Sequence, residues 1–199
     1  MIVVDVETTG TSPWKHSLLS IGAVDMEHPN RRFYDECRMW DGAHVTEGAL
    51  EINGYTEEEI KDENKKSEGE LVKIFLDWYM MGQELTLVGM NPGLDHYFLM
   101  EASNRANIDF QIAKRTIDLH TVCYMHMLKR GLQPPVEKHH HSAINSNFVT
   151  EYVGIPKEQE IHIALNGALW EAEALSRLFY DKALLPEFEK YPIPWLSGA

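Results

Sequence analysis

The chain has 199 residues, 44% of them apolar and 25% charged, with a net charge of −13. That suits one soluble domain with one sizeable core, and it contains no run of about 18 apolar residues that would predict a membrane span. The acidic balance argues against a protein that grips long duplexes through a broad basic surface.

The first ten residues, MIVVDVETTG, read as a β-branched strand over 2–6 that ends in two acids, Asp5 and Glu7. Thr8, Thr9 and Gly10 form the turn that leaves it. This start lacks the basic segment, apolar core and cleavage site of a secretory signal. Strands are expected over 17–25 and 32–38, with His28, Pro29 and Asn30 supplying the turn between them, so the N-terminal third is an antiparallel meander. Thr56 and Glu59 fit a capping box. Leu71, Ile74, Phe75, Trp78 and Met81 then recur at helical spacing as a core-facing stripe.

Residues 86–90 read as a buried strand, and Pro92 suits the first turn of a helix that carries Asp95 and runs to about residue 106. A short strand over 116–118, a helix over 119–130, a proline-containing loop over 131–142 and a short helix over 145–153 follow. Gly154 and Pro156 stop that helix. Ala164, Leu165, Ala168, Ala172, Leu175 and Phe179 mark the last one. The whole is read as a single domain over 1–199, with a core over 1–182 and an irregular tail over 183–199 packed on the surface. Cys37 and Cys123 give no disulfide framework and read as small buried hydrophobes, so a reducing cytoplasm is the expected location. Strands first and then alternating helices and strands imply α/β layers.

Side chains two apart on a strand share a face, so Asp5 and Glu7 can share a metal. Crowded carboxylates need cations, and hard oxygen donors favour Mg²⁺ or Mn²⁺. Asp95 in GMNPGLDHYFL and His162 in HIALNGALWEAEAL add a third acid and a group able to take a proton from water near neutral pH. Together these residues describe a two-metal phosphodiester hydrolase.

In order and spacing, DVETTG, the Asp95 segment and the HxAL segment resemble the three motifs of the DnaQ-like, DEDDh-type 3′–5′ exonucleases, over nearly the whole chain. The resemblance implies a ribonuclease H-like fold, a five-stranded mixed sheet with helices on both faces. It implies that Asp5 bridges two Mg²⁺ or Mn²⁺ ions, that Glu7 and Asp95 complete their shells, and that His162 is the general base. It also implies that the Thr8–Thr9–Gly10 turn holds the 3′ end of a single-stranded nucleic acid, with Leu50 and Asn53 beside the terminal base. Trp14 and His16 are further candidates for stacking on a base. Family precedent allows a homodimer.

One position departs from the family pattern HxALxDA. The aspartate five residues after the histidine is Gly167 here. The chain could be an impaired relative, a drifted variant, or one in which another acid takes over. Glu171 lies one helical turn later, rotated by only about 40°, and leans back toward the N-terminus over the glycine. Glycine leaves that space open at a cost of about 1 kcal/mol relative to alanine. Glu171 is therefore the expected fourth acid. Glu173 points away, and Asn166 is a poorer ligand. His139, His140 and His141 read as a polar loop near the rim of the site. The leading expectation is a metal-dependent 3′–5′ exonuclease releasing nucleoside monophosphates from single-stranded DNA or RNA ends. A binding module for nucleic-acid ends and a hydrolase of very short oligonucleotides remain as alternatives.

Overall fold

The computed structural model describes residues 1–196; the last three residues of the expected tail lie outside it. Five strands form one mixed sheet in the order β3-β2-β1-β4-β5. The meander is as expected: β1 (Ile2–Thr8), β2 (Leu18–Asp25) and β3 (Arg32–Glu36) pair antiparallel. The short strands β4 (Leu87–Gly89) and β5 (Thr116–Asp118) add on in parallel beside β1. This is the five-stranded α/β sheet that the resemblance implies, with helices on both faces.

Strand alternation sorts the two cores. Ile2 and Val4 face α2 (Glu68–Tyr79) and α3 (Gly93–Arg105). Val3 faces α4 (Leu119–Lys129), α5 (Ser146–Tyr152) and α6 (Ala164–Tyr180). Period two then places Asp5 and Glu7 on the α6 side. The pairing of β1 with β2 shifts register between Glu7 and Thr8, where the ladder skips Leu19. An irregularity of this kind re-aims the strand next to the two acids. The N-terminus of α6 lies directly on β2: a Cβ at Gly22 would overlap the backbone of Ala164. That close approach is why only glycine fits there.

Three local readings change. On α2, Leu71 and Phe75 are buried but Ile74 is exposed, and Met81 is exposed just past the end of the helix. The buried stripe is Leu71, Val72, Phe75, Leu76 and Tyr79. The expected and observed stripes share two residues, and only packing against β2 and β3 chooses between them. The capping box at Thr56 and Glu59 forms, but it opens only a 3₁₀ turn over Glu59–Lys61. The helix proper starts at a second capping box, Ser67 with Glu70. Finally, the tail is not wholly on the surface. Leu185 and Phe188 are buried in the α6-side core. Both cysteines are buried and free. Among the described residues no helix is long and apolar enough to cross a membrane.

Candidate active site

The acids gather at the C-terminal ends of the parallel strands β1 and β4. Asp5 and Glu7 come from β1. Asp95, in the first turn of α3, reaches round the sheet edge, and its Oδ1 accepts the backbone N–H of Val6 at 3.1 Å. Glu171, on α6, accepts the backbone N–H of Met90 at 3.1 Å, just beyond β4. Asp5 lies against α6 so closely that a Cβ at Gly167 would overlap its carboxylate. The missing side chain at 167 is therefore space that Asp5 uses. Glu173 is fully buried on another face of α6, as expected.

A cavity of about 470 Å³ opens here, lined among others by Asp5, Glu158, His162, Gly167 and Glu171. His162 is exposed, two residues before α6, and its backbone N–H donates to Ile52 at 2.9 Å. That bond ties the loop to α1 (Glu47–Asn53). A second cavity of about 320 Å³ lies beside Glu7, lined by Thr8, Gly10, Thr46, Ala49, Ile52 and Asn53 among others.

The expected substrate contacts divide. Thr8 and Gly10 line the second cavity, and the Thr8 hydroxyl donates to the Gly10 carbonyl at 2.8 Å. Asn53 lines it too, but its side chain is spent holding α1 to the turn: Nδ2 donates to the Thr8 carbonyl at 3.0 Å. Thr9 is fully buried, its hydroxyl donating to the His44 carbonyl and accepting the Ser17 N–H. It supports the turn from beneath. Leu50 is half-buried, and Ile52 rather than Leu50 lines the cavity. Trp14 is 66% exposed and tilts against Tyr97, whereas His16 is buried under Gly10 with Nδ1 accepting the Ser12 N–H. The His139–His141 triplet sits in an exposed tight turn, and none of the three lines the large cavity.

The acids strain one another. Burial pushes the Asp5 carboxyl well above the usual range, and the charges of Glu171, Asp95, Glu7 and Glu158 push it further. Burial, then Glu158 and Asp95, raise Glu7 to about 8. Burial raises Asp95 to about 7, against the pull of backbone N–H groups. Burial and the Asp95 charge likewise raise Glu171. Glu158 is the acid that sequence reasoning missed; burial takes it to about 7. It sits in an irregular loop with no periodicity, and only its place four residues before His162 hints at it.

Among the described residues, no three His, Cys, Asp or Glu side chains converge closely enough to hold a metal ion as they stand. Two of the carboxylates, Asp95 and Glu171, turn to backbone N–H groups instead. The donor set nonetheless suits hard divalent cations. It is made of carboxylates from three elements around one cavity. One of its oxygens, Glu158 Oε1, is buried without a hydrogen-bond partner.

This electrostatic strain makes a pH prediction for the protein in EDTA. A carboxyl whose folded pKa lies above its unfolded value binds its proton more tightly when folded, so its contribution to stability is complete below about pH 4. That contribution is lost as pH rises through the folded values of about 7 for Asp95 and about 8 for Glu7. The melting temperature in EDTA should fall by several degrees between pH 5 and pH 8, at about 2–4 °C per kcal/mol for this size. Added Mn²⁺, which needs ionised acids, should reverse the slope. A pH-independent melting temperature in EDTA would show that the acids do not repel one another.

A family model described as exonuclease matches residues 2–174. Among solved structures, E. coli exonuclease I in complex with a dT13 oligonucleotide matches at 18% identity with a TM-score of 0.68, over 88% of this chain and 40% of that one. The zinc-ion-bound form of the E. coli exonuclease I–single-stranded DNA complex matches at 16% identity and a TM-score of 0.69, over 91% and 41%. Cell-death related nuclease 4 (CRN-4) matches at 18% identity and 0.71, over 92% and 64%. The chain thus spans about 40% of the exonuclease I chain it resembles. No curated protein sequence matches it.

Proposed function

Because this chain belongs to the exonuclease family, with 2–174 matched, we propose that it is a divalent-metal-dependent 3′–5′ exonuclease. It shortens single-stranded DNA or RNA ends and releases nucleoside monophosphates. The observation that carries this reading is that Asp5 of β1, Glu171 of α6 and Glu158 of the loop before α6 meet His162 around one cavity, while Asp95 of α3 binds the β1 backbone at Val6, between Asp5 and Glu7. The oligonucleotides bound to E. coli exonuclease I support a single-stranded substrate. The net charge of −13 favours a grip on the end of the strand over a long basic groove.

In this mechanism Asp5, Glu7, Asp95 and Glu171 would hold two Mg²⁺ or Mn²⁺ ions. Such cations, when bound, supply activation of the attacking water and neutralise charge on the phosphate and the leaving 3′ oxygen. His162, exposed at the cavity and fixed through its backbone to α1, takes the proton from the water. The 3′-terminal nucleotide rests in the cavity beside Glu7, against Thr8, Gly10 and Ile52. A reducing cytoplasm is the proposed location.

The test is digestion of single-stranded DNA and RNA, labelled at the 5′ or the 3′ end, with Mg²⁺, Mn²⁺ or EDTA. A ladder from the 5′ label and immediate mononucleotide release from the 3′ label, both abolished by EDTA, are expected. Binding without metal-dependent shortening would overturn the reading. His162→Ala should lower kcat by about 10²- to 10⁴-fold with Mn²⁺ affinity nearly unchanged. An unchanged kcat would remove it as the base.

A further inference from the structure

We propose that Glu158, on the loop between α5 and α6, is a further cation-ligating acid of this active site, in addition to Asp5, Glu7, Asp95 and Glu171. The inference rests on the exonuclease reading above. Its first support is an accounting of hydrogen bonds. The backbone of Ile163 is the one neighbour that favours the charged form of the Glu158 carboxylate. Glu158 Oε1 is shut off from solvent and has no partner. Among the described residues it is the only carboxylate oxygen in that state. A buried, unpaired carboxylate oxygen is costly, and a bound ion is one of the few things that explain it.

The second support is location. Glu158 lines the large cavity together with Asp5, Gly167, Glu171 and His162. Its charge acts on Asp5, Glu7 and Glu171. The third is the space at Gly167. An acid there would have to project where the Asp5 carboxylate lies. Further carboxylates must therefore reach the cavity from other positions. Glu171 enters on the β4 side, where it meets Met90. Glu158 enters from the loop that precedes the helix. Both acids line the cavity with Asp5, and the same loop then delivers His162.

The test is calorimetric titration of the metal-free protein with Mn²⁺, without nucleic acid, beside its metal-free melting temperature. Glu158→Gln keeps the size of the side chain and removes the charge. It should weaken Mn²⁺ binding by about 10-fold or more, with a metal-free melting temperature equal to or above that of the wild type. Glu158→Ala should do the same, and Glu57→Gln, at an exposed acid that does not line the cavity, should leave binding unchanged. Wild-type Mn²⁺ affinity in both Glu158 variants, with or without a lower melting temperature, would overturn the inference. If those variants bind normally while Asp5→Asn does not, only Glu158 falls. If the wild type itself binds no Mn²⁺, the metal-dependent reading falls and takes this inference with it.

Discussion

Asp5→Asn is expected to abolish hydrolysis while making the metal-free protein more stable. The two effects have one cause. Asp5 sits at the centre of the acids, where four other carboxylates raise the free energy of its ionised form. Removing that charge relieves repulsion in the metal-free protein and removes a carboxylate that would hold the proposed cations. The expected loss in kcat/KM is on the order of 10³-fold or more, about 4 kcal/mol of transition-state stabilisation. Gly167→Ala probes the same carboxylate from the other side. Helix propensity alone predicts a gain of about 1 kcal/mol, but the added Cβ would overlap the Asp5 carboxylate. It should displace Asp5 and cost about 10-fold in rate, since each 1.36 kcal/mol is a factor of ten. Retained turnover in Asp5→Asn would sink the assignment of the acids. A fully active Gly167→Ala would show that Asp5 works in some other rotamer.

Much of this site was legible because its acids sit on regular elements. A strand of period two put Asp5 and Glu7 on one face, and helical geometry put Glu171 on the cavity side of α6, although it turns to the Met90 N–H and Asp5 fills the space at Gly167. The sheet core was legible for the same reason: β1 to β3 are dense in β-branched and apolar residues. What escaped had no period to betray it. Glu158 joins the site only because a loop folds over α6, and Thr9 is lost to substrate only because residues 44–46 pack against the turn. The buried face of α2 escaped for a different reason. Its sequence carries apolar residues on two overlapping stripes, and β2 and β3 select one of them. The sequence also showed an acid missing at 167 without showing that Asp5 fills the gap.

The largest effect on stability should come from Glu173→Ala, far from the chemistry on the same helix. Glu173 and Arg177 are both fully buried, with Nε to Oε1 at 2.6 Å. The pair is a hub. Arg177 also donates to the carbonyls of Val153, at the end of α5, and Phe188, in the tail. Glu173 Oε2 accepts the N–H groups of Leu184 and Leu185. Truncating the acid leaves a guanidinium buried and uncompensated and two backbone donors unpaired. The expected cost is about 3–5 kcal/mol, or on the order of 10 °C in melting temperature, read by urea and thermal unfolding. The exposed pair Lys61–Glu57 has the same i,i+4 spacing, but water screens it and its loss should leave stability nearly unchanged. A double replacement, Glu173→Leu with Arg177→Met, should lose less than Glu173→Ala alone, because no charge is stranded. A loss under 1 kcal/mol for Glu173→Ala would mean that water or a shifted tail reaches Arg177. The proposed chemistry would also feel the loss. The pair clamps the C-terminal half of α6, while the N-terminal half holds Gly167 and Glu171 against Asp5, so loosening one end should blur the placement of the acids at the other.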